Sequence, residues 1–245
     1  MDGILIRERY KVVQVLWRAE NYAAVEVVDI QERENPSLLV NLYGGELLHR
    51  YGEIYAGMKD CPAFRGMFLE DGALAAVFQP PGQGAPIDWL FFRGDRWSWS
   101  DRLNAAGVVM HLALSLAALP PEVSCAALCS DNLLLDPDEG SASARFLIRP
   151  MEEMTARELT LLAGDQLKKL LPRRWDSCDR QLEMLERLEL GDFPSIVPMY
   201  AWWRREEEEI RADAEALAQK NFVSRFFILL WKNSKRACRA VRRGT

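Results

Sequence analysis

Between residues 10 and 43 the apolar positions fall into three short runs rich in β-formers. Val12, Val13, Val15 and Leu16 make the first, Ala23 to Ile30 the second, and Leu38 to Tyr43 the third. The polar stretch 31–36, closed by Pro36, separates the last two as a turn. The period then changes. Leu47, Leu48, Tyr51, Ile54 and Tyr55 recur at close to 3.6 residues, which predicts a helix over 45–59 that Asp60-Cys61-Pro62 ends. Two further strands, Phe64–Leu69 and Ala73–Phe78, flank Glu70-Asp71-Gly72, a hairpin signal.

Residues 79–86 hold three prolines and two glycines, the densest breaker segment, and predict a boundary between two lobes. The remainder reads as helical. Asp101–Leu119 is a long apolar helix stopped by Pro120-Pro121. Thr155–Leu171 opens on Thr155 with Glu158 three residues on, a capping-box pattern. Ser177–Leu190 is amphipathic and ends at Gly191, and a last helix starts near Pro198 and continues toward the C-terminus. Three units follow: 1–80, 81–215 and a tail, 216–245.

At 245 residues, 49% hydrophobic and 27% charged, the chain has the makeup of a globular protein with one large domain or two packed lobes. The formal net charge of −5 argues against nucleic acid as a partner. That charge is unevenly placed. Residues 220–245 hold 8 basic and no acidic residues, so the other 219 carry 31 − 8 = 23 basic against 36 acidic, a net −13. Such a division points the tail toward something anionic. Five scattered cysteines without metal-site spacing, and an N-terminus without an apolar leader, are read as a reduced, cytoplasmic protein with no metal site.

Residues 130–136, Ser-Asp-Asn-Leu-Leu-Leu-Asp, follow the apolar helix. This string resembles the end of the protein-kinase catalytic loop. Together with the order of strands, helix, hairpin and link, it gives a resemblance to the protein-kinase superfamily over roughly residues 8–155. The resemblance implies an α+β, bilobal, protein kinase-like fold: a small antiparallel-sheet N-lobe with one helix, and a reduced, mainly helical C-lobe. A further resemblance is to the cytosolic pseudokinase domain of the type VII secretion membrane subunit, which also has a reduced C-lobe.

The same resemblance implies that the chemistry is gone. The Gly-rich loop that lets backbone approach ATP phosphates corresponds to Trp17–Ala23, centred on Ala19, with no glycine. The strand lysine falls on Asn41, or on a neighbour under a one-residue shift, and neither choice gives a cation. Glu53 stands where the kinase helix carries its glutamate, and reads as a surface residue without a lysine partner. The base aspartate falls on Ala127, which cannot accept a proton, and the loop lysine on Cys129. Asn132 matches the metal-binding asparagine, or braces the loop together with Asp131. The metal-binding aspartate falls on Arg149, or on Ile148 under a one-residue shift. His49 and His111, the two histidines, read as structural.

The expectation is therefore a catalytically inactive pseudokinase, binding no cofactor and serving as a binding or scaffolding module for an unidentified protein partner. The alternative is an atypical nucleotide-binding phosphotransferase using Asn132 with Asp131 or Asp136. In the tail, Phe226, Phe227, Trp231, Lys232, Lys235 and Arg236 combine aromatic and basic character. Its longest uncharged run is six residues, too short to span a bilayer, which needs about 20 apolar residues. The composition suits contact with a partner or an anionic membrane surface, on the inner face of a membrane; the other reading packs the aromatics on the body.

Overall fold

The computed structural model describes residues 4–34, 36–58, 60–79, 82, 84–88, 97–136 and 139–243. The N-terminal part is a six-stranded antiparallel sheet. Its strands are β1 (Leu5–Ile6), β2 (Tyr10–Arg18), β3 (Tyr22–Asp29), β4 (Ser37–Tyr43), β5 (Phe64–Glu70) and β6 (Ala73–Phe78), in the order β1-β2-β3-β4-β6-β5. Helix α1 (Glu46–Ala56) packs on one face of it through Tyr51 and Tyr55. Asp71 and Gly72 both take positive φ, 48° and 76°, so the β5–β6 hairpin closes with the two-residue turn whose twist suits antiparallel strands.

The sheet curls on itself. Tyr10 on β2 stacks on Phe68 of β5 at 5.8 Å, and Arg7 donates its backbone N–H to Glu70 at 2.7 Å, so the two ends of the sheet meet. The concave side encloses a small core of Ile6, Val25, Val27, Leu38, Val40, Ala75 and Val77. The opposite face opens onto the main core, which runs unbroken from Tyr22 and Leu39 through α1 into the helices of the second lobe.

That second lobe carries α2 (Trp99–Leu116), α3 (Pro121–Leu128), α4 (Ala156–Leu170), α5 (Asp179–Leu190), α6 (Ile196–Ala218) and α7 (Phe222–Arg243). A three-stranded sheet of β7 (Ala85–Pro86), β8 (Leu133–Asp136) and β9 (Ser141–Ala144) lies beside them. Two capping boxes start helices: Ser98 with Asp101 on α2, and the expected Thr155 with Glu158 on α4. Gly191 ends α5 in the left-handed conformation (φ 65°), as its position after an amphipathic run predicted. Trp202 and Trp203 are buried on α6, and Arg180 pairs with Glu206 and Glu209 at 3.4 and 2.6 Å, so the acidic run there is partly neutralised.

Two expectations need correction. The segment Cys125–Cys129, read as a loop, is the last turn and C-cap of α3. Pro120 stops α2's continuation, but Pro121 at the first helical position has the φ a helix needs and lacks only an N–H that would go unused there. The small apolar run from Val123 to Leu128 then buries as a helix. The last helix is also interrupted. Asn221 accepts the backbone N–H of Ser224 at 2.8 Å and starts α7 afresh, so α6 ends at Ala218 and a separate helix carries the basic segment. Of the breaker-rich link, Pro80, Pro81 and Gln83 lie outside the described residues, as do the side chains of Lys235 and Arg236 in the tail.

Candidate functional site

Between the lobes, the segment that follows β9 is held from both sides by two buried asparagines. Asn41, at the middle of β4, donates from Nδ2 to the Phe146 carbonyl at 3.0 Å and accepts the Ile148 N–H on Oδ1 at 3.0 Å. Asn132, just before β8, accepts the Leu147 N–H at 2.7 Å and donates to the Leu147 carbonyl at 2.8 Å. In extended backbone, the N–H and C=O of one residue face one side while the flanking C=O and N–H face the other. The two amides thus act as a strand partner on each edge of 146–148. Asn132 also donates to the Ala126 carbonyl at 2.8 Å, and Tyr22 donates its hydroxyl to Asn41 Oδ1 at 2.8 Å.

Three tyrosines continue the clasp. Tyr43 donates to the Ile148 carbonyl at 2.6 Å and shares a 2.5 Å hydrogen bond with Tyr55. Tyr51 accepts the Met151 N–H at 3.3 Å and stacks on Tyr43 at 4.1 Å. Burial raises the hydroxyl pKa of Tyr22, Tyr43, Tyr51 and Tyr55, keeping each phenol neutral. The Phe146 ring lies flat on Phe78 at 5.3 Å, and its backbone sits at φ 58°, a conformation a bulky residue adopts only when its surroundings impose it.

The residues selected by sequence fall into two groups. Asn41, Asn132 and the backbone at 146–148 are brought together. Arg149 lies just beyond: its guanidinium pairs with Asp131 and covers the Trp17 ring at 4.6 Å. Ala127 is fully buried in α3. Ala19 sits exposed in the β2–β3 turn, where its N–H reaches the Tyr22 carbonyl at 2.7 Å. Glu53 is exposed on α1 and makes no ion pair among the described residues.

A kinase's two metal ligands, the loop asparagine and the D-F-G aspartate, serve the same Mg²⁺ pair and so must face each other. The residues facing Asn132 here are 145–147: Arg145, whose N–H reaches the Asn132 carbonyl at 2.9 Å, then Phe146 and Leu147. None is acidic. The Asn132 side-chain oxygen Oδ1 accepts the Leu147 N–H. No group of three or more His, Cys, Asp or Glu with metal-site geometry occurs among the described residues.

What sequence reasoning missed is the tyrosine set and the use of the main chain at 146–151 as its hydrogen-bond partner. Tyr22, Tyr43, Tyr51 and Tyr55 carry a faint signal in their clustering within one lobe. Tyr43 and Tyr51 bond main-chain atoms about a hundred residues away, the Ile148 carbonyl and the Met151 N–H, which no side-chain pattern marks.

No protein-family model matches the sequence, and no curated protein matches it. Solved structures do. The kinase domain of Mycobacterium tuberculosis PknI is 13% identical, with 84% of this chain and 99% of that chain covered and a TM-score of 0.53. A point mutant of the same domain gives 14% identity, 84% and 98% coverage and a TM-score of 0.55. At this identity the likeness shows the fold alone. The chain has a bilobal protein kinase-like fold, an antiparallel curled sheet with one helix above a mainly helical lobe.

Proposed function

We propose that this chain is a catalytically inactive kinase-like protein that works as a binding or scaffolding module. The observation that carries the reading is the double clasp. The position of a kinase's phosphate-binding lysine is Asn41 and that of its metal asparagine is Asn132, and both side chains are spent on the backbone of 146–148. No general base stands at Ala127, inside a helix. These three positions thus offer no cation for the phosphates, no free metal ligand and no base, the groups that drive phosphoryl transfer in a kinase. The lobes, fixed to each other, present a rigid surface, which suits recognition of a protein partner. The four described free cysteines suit a reducing compartment such as the cytoplasm.

A thermal-shift titration of the purified chain with ATP, with and without Mg²⁺, tests this. A ligand binding only the folded state at 100 times its Kd adds about 2.7 kcal/mol. The reading expects no shift under either condition. A Mg²⁺-dependent shift abolished by Asn132→Ala would replace it with an atypical phosphotransferase.

A further inference from the structure

The last helix leaves one face uncovered while docking firmly by another. Leu229 is 2% exposed, Asn233 donates to the Trp175 carbonyl at 3.1 Å, and Lys232 pairs with Asp179 at 2.6 Å. These contacts fix α7 against the start of α5. Val223, Phe227, Leu230 and Trp231 recur at i, i+4, i+7 and i+8, one stripe along a helix. Phe227 is 62% and Trp231 64% exposed. The body extends the patch: Trp175, also exposed, meets Phe226 at 5.9 Å. Large, mostly exposed aromatics clustered on two elements mark an interaction surface rather than scattered exposure.

We propose that α7 and Trp175 form a docking face for an anionic lipid surface, with α7 lying in the plane of the interface. Charge selects this occupant. The segment 220–245 is +8 with no acid, while the rest of the chain is −13. An anionic leaflet attracts the first and repels the second, so the protein settles with Trp175 and α7 toward lipid and the acidic body held away. Protein interfaces take aromatics and arginine but are depleted in lysine, whereas an interfacial helix combines Trp, Phe and Leu with Lys and Arg. No described helix is long and apolar enough to cross a membrane, so α7 can lie on the surface but not span it. This goes beyond the inactive-site reading and does not depend on it.

The test is co-sedimentation of the full chain with vesicles of phosphatidylcholine alone, or containing about one-third phosphatidylglycerol, at rising salt. Binding is expected only to the anionic vesicles and should fall with salt. The double variant Phe227→Ala/Trp231→Ala should weaken it about tenfold or more. Lys235→Gln/Arg236→Gln should weaken it about fivefold per charge. The aromatic variant alters exposed side chains, so its thermal melt should match the parent. Brominated lipid should quench the parent's tryptophan fluorescence, and quenching should drop in Trp231→Phe, a readout that survives if the double variant misfolds. Equal binding to neutral vesicles, no binding, or undiminished binding of a folded aromatic variant overturns the proposal. A dimer seen by light scattering that the aromatic variant breaks, without lipid binding, assigns the face to a second copy and also overturns it.

Discussion

Asn41 and Asn132, 91 positions apart and in different lobes, grip opposite edges of the same three residues, Phe146 to Ile148. Each amide supplies one donor and one acceptor to a backbone that otherwise lacks a strand partner. On the proposed reading these are the positions at which a kinase holds a lysine for phosphate and an amide for metal, and both side chains bond main chain instead.

Restoring the lysine should therefore not restore the site. Asn41→Lys puts an ammonium at a fully buried position and leaves the Ile148 N–H without an acceptor. The change should destabilise the fold by about 3 kcal/mol or more and confer no affinity for Mg·ATP. Urea unfolding measures the first and calorimetric titration the second. Asn132→Ala should lower stability by about 1–3 kcal/mol through the orphaned Leu147 N–H.

The buried tyrosines set an alkaline limit. Burial raises the folded-state pKa of Tyr43 and Tyr55 well above the ordinary 10.0, while the unfolded chain ionises near that value. Above pH 10 the unfolded state releases protons the folded state keeps, so stability falls as pH rises. Tyr43→Phe removes one such group. Its unfolding free energy should fall less steeply above pH 10 than the parent's, though it starts lower for want of the Ile148 hydrogen bond. Equal slopes in urea titrations across that range would refute this.

The thiols of α3 should be inert in the native state. Burial pushes Cys125 up to about 12, and burial likewise raises Cys129, which lies one turn further on. At pH 8 the thiolate fraction of Cys125 is roughly one in ten thousand, so iodoacetamide should label it roughly a thousandfold more slowly than an ordinary cysteine. Mass spectrometry of labelled native and urea-unfolded protein reads the difference. Rapid native labelling of Cys125 would show that α3 is not buried as described.

Much of the fold was legible because its signals are local. The Asp-Gly hairpin, the Thr155–Glu158 box and Gly191 each act within a few residues, and each lies where the pattern put it. The helix at Pro121–Leu128 was not legible. Two prolines ordinarily read as a stop, and only the burial of Ala126, Ala127 and Leu128 against the rest of the lobe makes the second one a start. The site was half legible. Asn41 stood out as standing where a lysine is expected, and Asn132 as matching a metal-binding asparagine or bracing the loop. Their new partners did not, because backbone N–H and C=O groups are the same at every position and only tertiary structure chooses among them.

The most direct test is native-state hydrogen exchange at the amides of Leu147 and Ile148, with and without Mg·ATP. A clasp closed by Asn41 and Asn132 predicts exchange only through unfolding on the scale of the whole protein, unchanged by nucleotide. Rapid exchange in the free protein, or protection that responds to Mg·ATP, would contradict a cleft occupied by its own backbone.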